Sequence, residues 1–79
     1  MEKDDIETRV KKVVAEVLEM NQDEIGNDAN FIFDLGADSM QSLQLVAGFE
    51  EEFGIEMDED KALEIQSVDK AIEFIHSYL

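Results

Sequence analysis

Ile6, Val10, Val13, Val14, Val17 and Leu18 recur at three- and four-residue spacing, which places them on one stripe of a helix. The spacing predicts a first helix over about residues 5–19, opening near Asp4 or Asp5. From Asn21 to Gly36 the period lapses into Asn, Asp and Gly, interrupted by Ile25, Phe31, Ile32, Phe33 and Leu35. A connection of that length is expected to be held by buried apolar anchors rather than to act as a linker.

A second helix is predicted from Asp38 to about Phe53. At about 100° per residue, Leu43, Leu45, Val46, Ala47, Phe49 and Phe53 sweep most of its circumference, with Ser42 and Glu50 interrupting them. Gln41, Gln44, Gly48, Glu51 and Glu52 fill the remaining arc. That pattern predicts a central helix, buried on most sides, with one narrow polar strip facing out. Gly54 suits the position that ends it. Asp58 to about Ile65 allows one or two further turns, and Ser67 is placed to cap a last helix carrying Val68, Ala71, Ile72 and Ile75 at helical spacing. No β-alternation competes. The expected fold is all-α, a small four-helix bundle with a long loop between helices 1 and 2 and a short helix 3, forming a single domain over residues 1–79.

Composition narrows what such a bundle does. The chain has 79 residues, 44% of them hydrophobic, a net charge of −15, and no Cys, Pro or Trp. The apolar content separates it from a disordered acidic tail, while the short length and self-repulsion predict marginal stability that screening cations improve. With 21 acidic against 6 basic residues, nucleic acid is excluded as a partner, because phosphate backbones are bound through clustered Lys and Arg. Anionic membrane surfaces are disfavoured for the same reason, and a basic protein surface is the natural complement. The lack of cysteine removes disulfides, thiolate metal sites and cysteine nucleophiles together. The start, Met1-Glu2-Lys3-Asp4-Asp5, has no apolar run, and no segment is long enough to span a bilayer. The expectation is a soluble monomer of the cytoplasm without membrane insertion.

The charge is unevenly placed. Residues 1–20 carry 6 acidic and 4 basic groups, and residues 21–79 carry 15 and 2. No Lys or Arg occurs between Val13 and Asp60, a stretch with Ser39 near its middle. A single-signed field around one site steers a positively charged partner.

Leu35-Gly36-Ala37-Asp38-Ser39-Met40 is the sharpest local feature. Asp38 is a good N-cap, and Gln41 three residues on completes an Asp-x-x-Gln capping box. Ser39 then falls at the first helical position, its hydroxyl beside free backbone N–H groups that favour an anion such as a phosphate ester. The Asp38 carboxylate opposes such an anion, so the site is permissive and a plain helix-starting serine fits it as well. A self-contained serine hydrolase is excluded: Gly36-x-x-Ser39 is not a nucleophile elbow, and the single histidine, His76, belongs to the last turn of the last helix. An EF-hand loop opening at Asn21 fails, with Ile25 and Ile32 where oxygen ligands belong. No specific metal site and no catalytic residue is expected.

Three segments carry a resemblance: Phe33-Asp34-Leu35-Gly36-Ala37-Asp38-Ser39, Glu50-Glu51-Glu52-Phe53 and Ile65-Gln66-Ser67-Val68. Through them the chain resembles, over essentially its whole length, the acyl carrier proteins of fatty-acid and polyketide synthesis. The resemblance implies that Ser39 is esterified by 4′-phosphopantetheine from coenzyme A, and that acyl chains ride as thioesters on that group's thiol. Thiol chemistry is thereby imported into a chain without cysteine. It implies a phosphopantetheinyl transferase as partner, with Asp38 as helix cap and transferase contact. Further partners are acyl-transferring or acyl-modifying enzymes with basic docking surfaces, which act on a carrier that is not itself an enzyme. Asp38, Met40, Gln41, Gln44, Gly48, Glu50 and Glu51 are then the partner-facing residues, and Phe31, Leu45, Val46 and Ile65 line a pocket for the acyl tail. Met40 departs from the usual Leu, and Gln41 and Gln44 stand where these carriers commonly present carboxylates, which implies a specialised carrier serving a restricted set of enzymes. Two alternatives stay open: an aminoacyl, peptidyl or D-alanyl carrier, and an unmodified acidic helical adaptor.

Overall fold

Four α-helices form among residues 2–79, the part of the chain that the computed structural model describes: α1, Lys3–Leu18; α2, Ser39–Phe53; α3, Glu59–Ala62; and α4, Val68–Tyr78. A 3₁₀ turn over Gln22–Glu24 interrupts the first loop. Helix α1 begins slightly before the predicted start, with Asp4 and Asp5 in its first turn facing the positive end of the helix dipole. It ends where Glu19 turns into the left-handed region at φ 55°. At the other helix of similar length, Gly54 takes that role at φ 64°, as its lack of a Cβ allows.

The core is entirely apolar among the described residues. It is built from Ile6, Val10, Val13 and Val14 of α1, Leu45 and Phe49 of α2, Val68, Ala71, Ile72 and Ile75 of α4, and loop residues including Ile25 and Phe31. The Phe31 and Phe49 rings lie 6.5 Å apart at 43°, which anchors the loop on α2. Helix α1, rather than α2, is the central element, packing broadly against both α2 and α4. Only Leu45 and Phe49 of α2 are fully buried, while Met40, Leu43 and Ala47 are exposed. The expectation of a helix buried on most sides is corrected: apolar residues covered more of α2 than the neighbouring elements do.

The long loop is stitched to the start of α4 by backbone hydrogen bonds, Phe31 N to Gln66 O at 2.8 Å and Val68 N to Ala29 O at 3.1 Å. Ile25 and Phe31 are buried and Leu35 is half-buried, as its anchors. Ile32 and Phe33, also expected inside, are 45% and 84% exposed. The reason is a side-chain-capped turn: Asn30 Oδ1 accepts from the N–H groups of Ile32 and Phe33, both at 2.9 Å, and Asp34 Oδ2 accepts from Asn30 N at 2.7 Å. That reversal buries Phe31 and turns the next two residues outward.

Helix α3 is shorter than its predicted span, a single turn capped by Asp58, whose carboxylate accepts from Asp60 N and Lys61 N. Tyr78 Oη accepts from Asp58 N at 3.1 Å, tying the end of α4 to this cap. Ser67 occupies the N-cap of α4, yet its hydroxyl makes no cap bond and donates instead to Asp69 Oδ1 at 2.5 Å. That bond, more than any other contact, holds the Asp69 carboxyl below the usual carboxylate range. A carboxylate favoured in the folded state stabilises it above the ordinary range, and the contribution is lost as pH falls through the lowered value.

Against a net charge of −15, the ion pairs among the described residues are three: Arg9 and Lys12 to Glu52, and Lys11 to Glu7. All three lie at the surface with at least one partner only half-buried, and surface pairs contribute little each, so repulsion dominates. With a radius of gyration of 11.0 Å, the whole molecule lies within the ~30 Å Debye length of ~0.01 M salt. Thermal melts followed by circular dichroism should therefore show Tm rising by roughly 5 °C or more between ~0.01 M and ~0.5 M NaCl. A flat or falling Tm would contradict repulsion as the main electrostatic term.

Candidate functional site

Ser39 opens α2, and the residues before it fix how. Gly36, at φ 74°, bends the chain in a conformation that favours glycine. Its N–H donates to Ile32 O at 3.1 Å, and Ala37 N donates to Phe31 O at 2.8 Å with the Ala37 methyl buried. Asp38 follows as N-cap in the full capping box. Its Oδ1 accepts from Gln41 N at 2.8 Å, and Gln41 Oε1 accepts from Asp38 N at 3.1 Å. Ser39 is thus locked as the first helical residue, exposed, with the backbone N–H groups of Ser39 and Met40 lacking intrahelical acceptors.

Hydroxyl usage separates Ser39 from its peers. Thr8 donates to Asp4 O, Ser42 to Asp38 O, Ser67 to Asp69 and Ser77 to Phe74 O, while the Tyr78 hydroxyl accepts from Asp58 N. Among the described residues, only the Ser39 hydroxyl engages no protein group. Ser42, which interrupted the apolar arc of α2, is satisfied by its back-bond of 3.0 Å to Asp38 O.

Removing the cap gives a direct check on this geometry. Asp38→Ala deletes the bond to Gln41 N and frees the reciprocal one, so a loss of about 1 kcal/mol is expected, a Tm decrease of about 4–8 °C. Asp38→Asn should recover most of it. An unchanged melt for Asp38→Ala would show that the box contributes nothing to holding the helix start.

The seven residues expected to face partners divide. Asp38, Met40, Gln44 and Glu51 are exposed. Gln41 is occupied in the capping box, and Glu50 Oε2 accepts from Met57 N at 2.9 Å, bracing the link between α2 and α3. Gly48 faces α1, where a Cβ would meet Val13 Cγ1 at 2.7 Å. Gly48 and the neighbouring Glu52 thus belong to the α1–α2 contact, with Arg9 and Lys12 holding Glu52 and the Arg9 guanidinium 5.9 Å from the Phe53 ring centre. The outward strip of α2 is therefore Met40, Leu43, Gln44, Ala47 and Glu51, rotated from the polar arc and largely uncharged. Leu43, Ala47 and Phe33 were missed as surface residues; only the turn signal Asn30-x-x-x-Asp34 hinted at Phe33.

Phe31, Leu45, Val46 and Ile65 do come together. They line one cleft between α2 and the α3 segment, with Phe49, Met57 and Ala62. Its free volume is about 30 Å³, room for a water molecule or two. Among the described residues no group of three or more acidic or histidine side chains is placed to hold a metal ion, and no helix is long and apolar enough to cross a membrane.

A family described as "Phosphopantetheine attachment site" matches residues 8–75. The acyl carrier protein of Buchnera aphidicola subsp. Acyrthosiphon pisum strain 5A is 47% identical over 72 residues, 91% of this chain and 90% of its own length. That of strain Tuc7 is 49% identical over 70 residues, 89% of this chain and 88% of its own length. An all-helical domain matched to that family over most of its length is a phosphopantetheine-bearing carrier, a module that enzymes act upon rather than an enzyme. More narrowly, the chain belongs to the acyl carrier protein family.

Proposed function

We propose that Ser39 is the residue that carries 4′-phosphopantetheine. The observation that supports this most is its hydroxyl, exposed at a capped helix start and alone among the described hydroxyls in engaging no protein group. A phosphodiester there lies beside the free N–H groups of Ser39 and Met40, while the Asp38 carboxylate is directed at Gln41 N. Attachment forms a bond from Ser39 Oγ to phosphorus of the coenzyme A pyrophosphate, and the nucleotide half leaves. The hydroxyl proton goes to a base of the transferase, since His76, the sole histidine, lies in the last turn of α4. Once bound, the group supplies a terminal thiol that holds acyl chains as thioesters.

The cleft lined by Phe31, Leu45, Val46 and Ile65 is read as the place where an acyl tail enters. At about 30 Å³ it takes up a chain only by widening, and the single-turn α3 on its rim is the element with least helix to disrupt. The outward strip of α2, with Glu51 and Asp38 at its ends, is read as the surface that basic partner enzymes cover.

The test is intact-mass analysis after incubation with coenzyme A and a phosphopantetheinyl transferase, followed by peptide mapping. One added phosphopantetheinyl group on the peptide holding Ser39 is expected. An unmodified chain, or a modified peptide elsewhere, would overturn the assignment.

A further inference from the structure

Phe33 is 84% exposed, the most exposed large apolar side chain among the described residues. It is also held there. Asn30 Oδ1 accepts from its N–H at 2.9 Å, Asp34 closes the same turn, and Gly36 N to Ile32 O joins the turn to the segment that leads into Ser39. Ile32 lies exposed beside it in the chain, and Met40, 69% exposed, follows Ser39 directly. Large apolar groups therefore flank Ser39 in the chain on both sides, while Gln41 and Gln44 leave the first turns of α2 after Asp38 without charge.

The geometry points to Phe33 as an apolar docking anchor for the phosphopantetheinyl transferase, a specificity-determining residue for the loading of Ser39. This rests on Ser39 being the attachment point. The occupant follows from the reaction. Loading bonds Ser39 Oγ itself, so the transferase must bring its reacting phosphorus to that atom, which stands at the end of the segment joined to the Phe33 turn by Gly36 N to Ile32 O. Enzymes that act later reach their cargo at the far end of a long arm and need not sit on Phe33. A second copy of this chain is opposed by −15 on each molecule, and an anionic membrane by the same charge. The transferase surface facing this rim is expected to be an apolar pocket bordered by basic groups, because exposed Asp34 and Asp38 flank it. Part of the recognition is thus apolar, and less sensitive to salt than charge pairing.

The experiment is steady-state loading with coenzyme A and the transferase of the organism the chain comes from, with a broad-specificity transferase as reference. For Phe33→Ser, kcat/KM with the organism's own enzyme is expected to fall about tenfold, equivalent to about 1.4 kcal/mol, through KM with kcat retained. Phe33→Leu should keep most of the activity, and Tm should stay at the parent value because the side chain contacts little. Equal kcat/KM for Phe33→Ser and the parent would overturn the proposal, as would a loss explained by a lowered Tm. A concentration-dependent dimer in sedimentation, abolished by Phe33→Ser, would assign the residue to self-association instead. If neither transferase loads the parent chain at Ser39, the attachment reading itself fails, an outcome distinct from normal loading of Phe33→Ser.

Discussion

Ser39→Ala is expected to stay at its unmodified mass after exhaustive incubation with coenzyme A and transferase, a complete loss of loading. The fold should survive the change. Ser39 is exposed and its side chain supports no neighbour, the cap comes from Asp38, and alanine is the best helix former. A melt within a few degrees of the parent separates loss of the acceptor oxygen from loss of structure. Ser42→Ala and Ser67→Ala are the matched controls, because each removes a hydroxyl already committed to a protein group, and both should load. Phosphopantetheine on the Ser39→Ala variant would end the assignment.

The second large effect concerns stability. Gly48→Ala should destabilise the protein although alanine is favoured over glycine by about 1 kcal/mol inside a helix. The new Cβ would lie 2.7 Å from Val13 Cγ1. Val13 is buried at 5% exposure in the central helix, and a β-branched side chain has little freedom to turn away. Overpacking of this kind costs about 1–3 kcal/mol, so a net loss of up to about 2 kcal/mol is expected, a Tm decrease of up to about 16 °C. Gly48→Leu should be worse. Combining Gly48→Ala with Val13→Ala removes the clashing methyl, and the double variant should be more stable than the two single losses add up to, by about 1 kcal/mol or more. Strict additivity, or a raised Tm for Gly48→Ala alone, would show that α1 and α2 tolerate a wider separation.

The helix start at Ser39 was legible because its determinants are local: Asp38 and Gln41 are three residues apart, and a capping box needs only those two side chains and the backbone between them. The same holds for Gly54 and for the stripe of α4, whereas of the five apolar loop residues Ile25, Phe31 and Leu35 turn inward and Ile32 and Phe33 do not. The cleft residues Phe31, Leu45, Val46 and Ile65 came from the family resemblance, and the tertiary structure sets them around one space.

Other features were not legible because they depend on which neighbour arrives. Gly48 lies on the polar arc of α2 by angle, yet its missing side chain is what lets Val13 approach. Glu50, Glu51 and Glu52 are indistinguishable in the sequence, but the first braces Met57 N, the last is held by Arg9 and Lys12, and Glu51 alone of the three is exposed. Phe33 reads as a core residue by hydropathy and is turned out by a side-chain-capped reversal.

By itself the sequence determined the all-helical class, the capped serine and the sign of the field that partners meet, since periodicity, capping and charge are properties of residues near one another in the chain. Only the tertiary structure decided that α1 is the central helix and that α2 turns outward a mixed strip, apolar at Met40, Leu43 and Ala47 and polar at Gln44 and Glu51, rather than its whole polar arc. A helix presents its apolar arc to whatever covers it, and the small core has too few elements to cover all of the arc on α2.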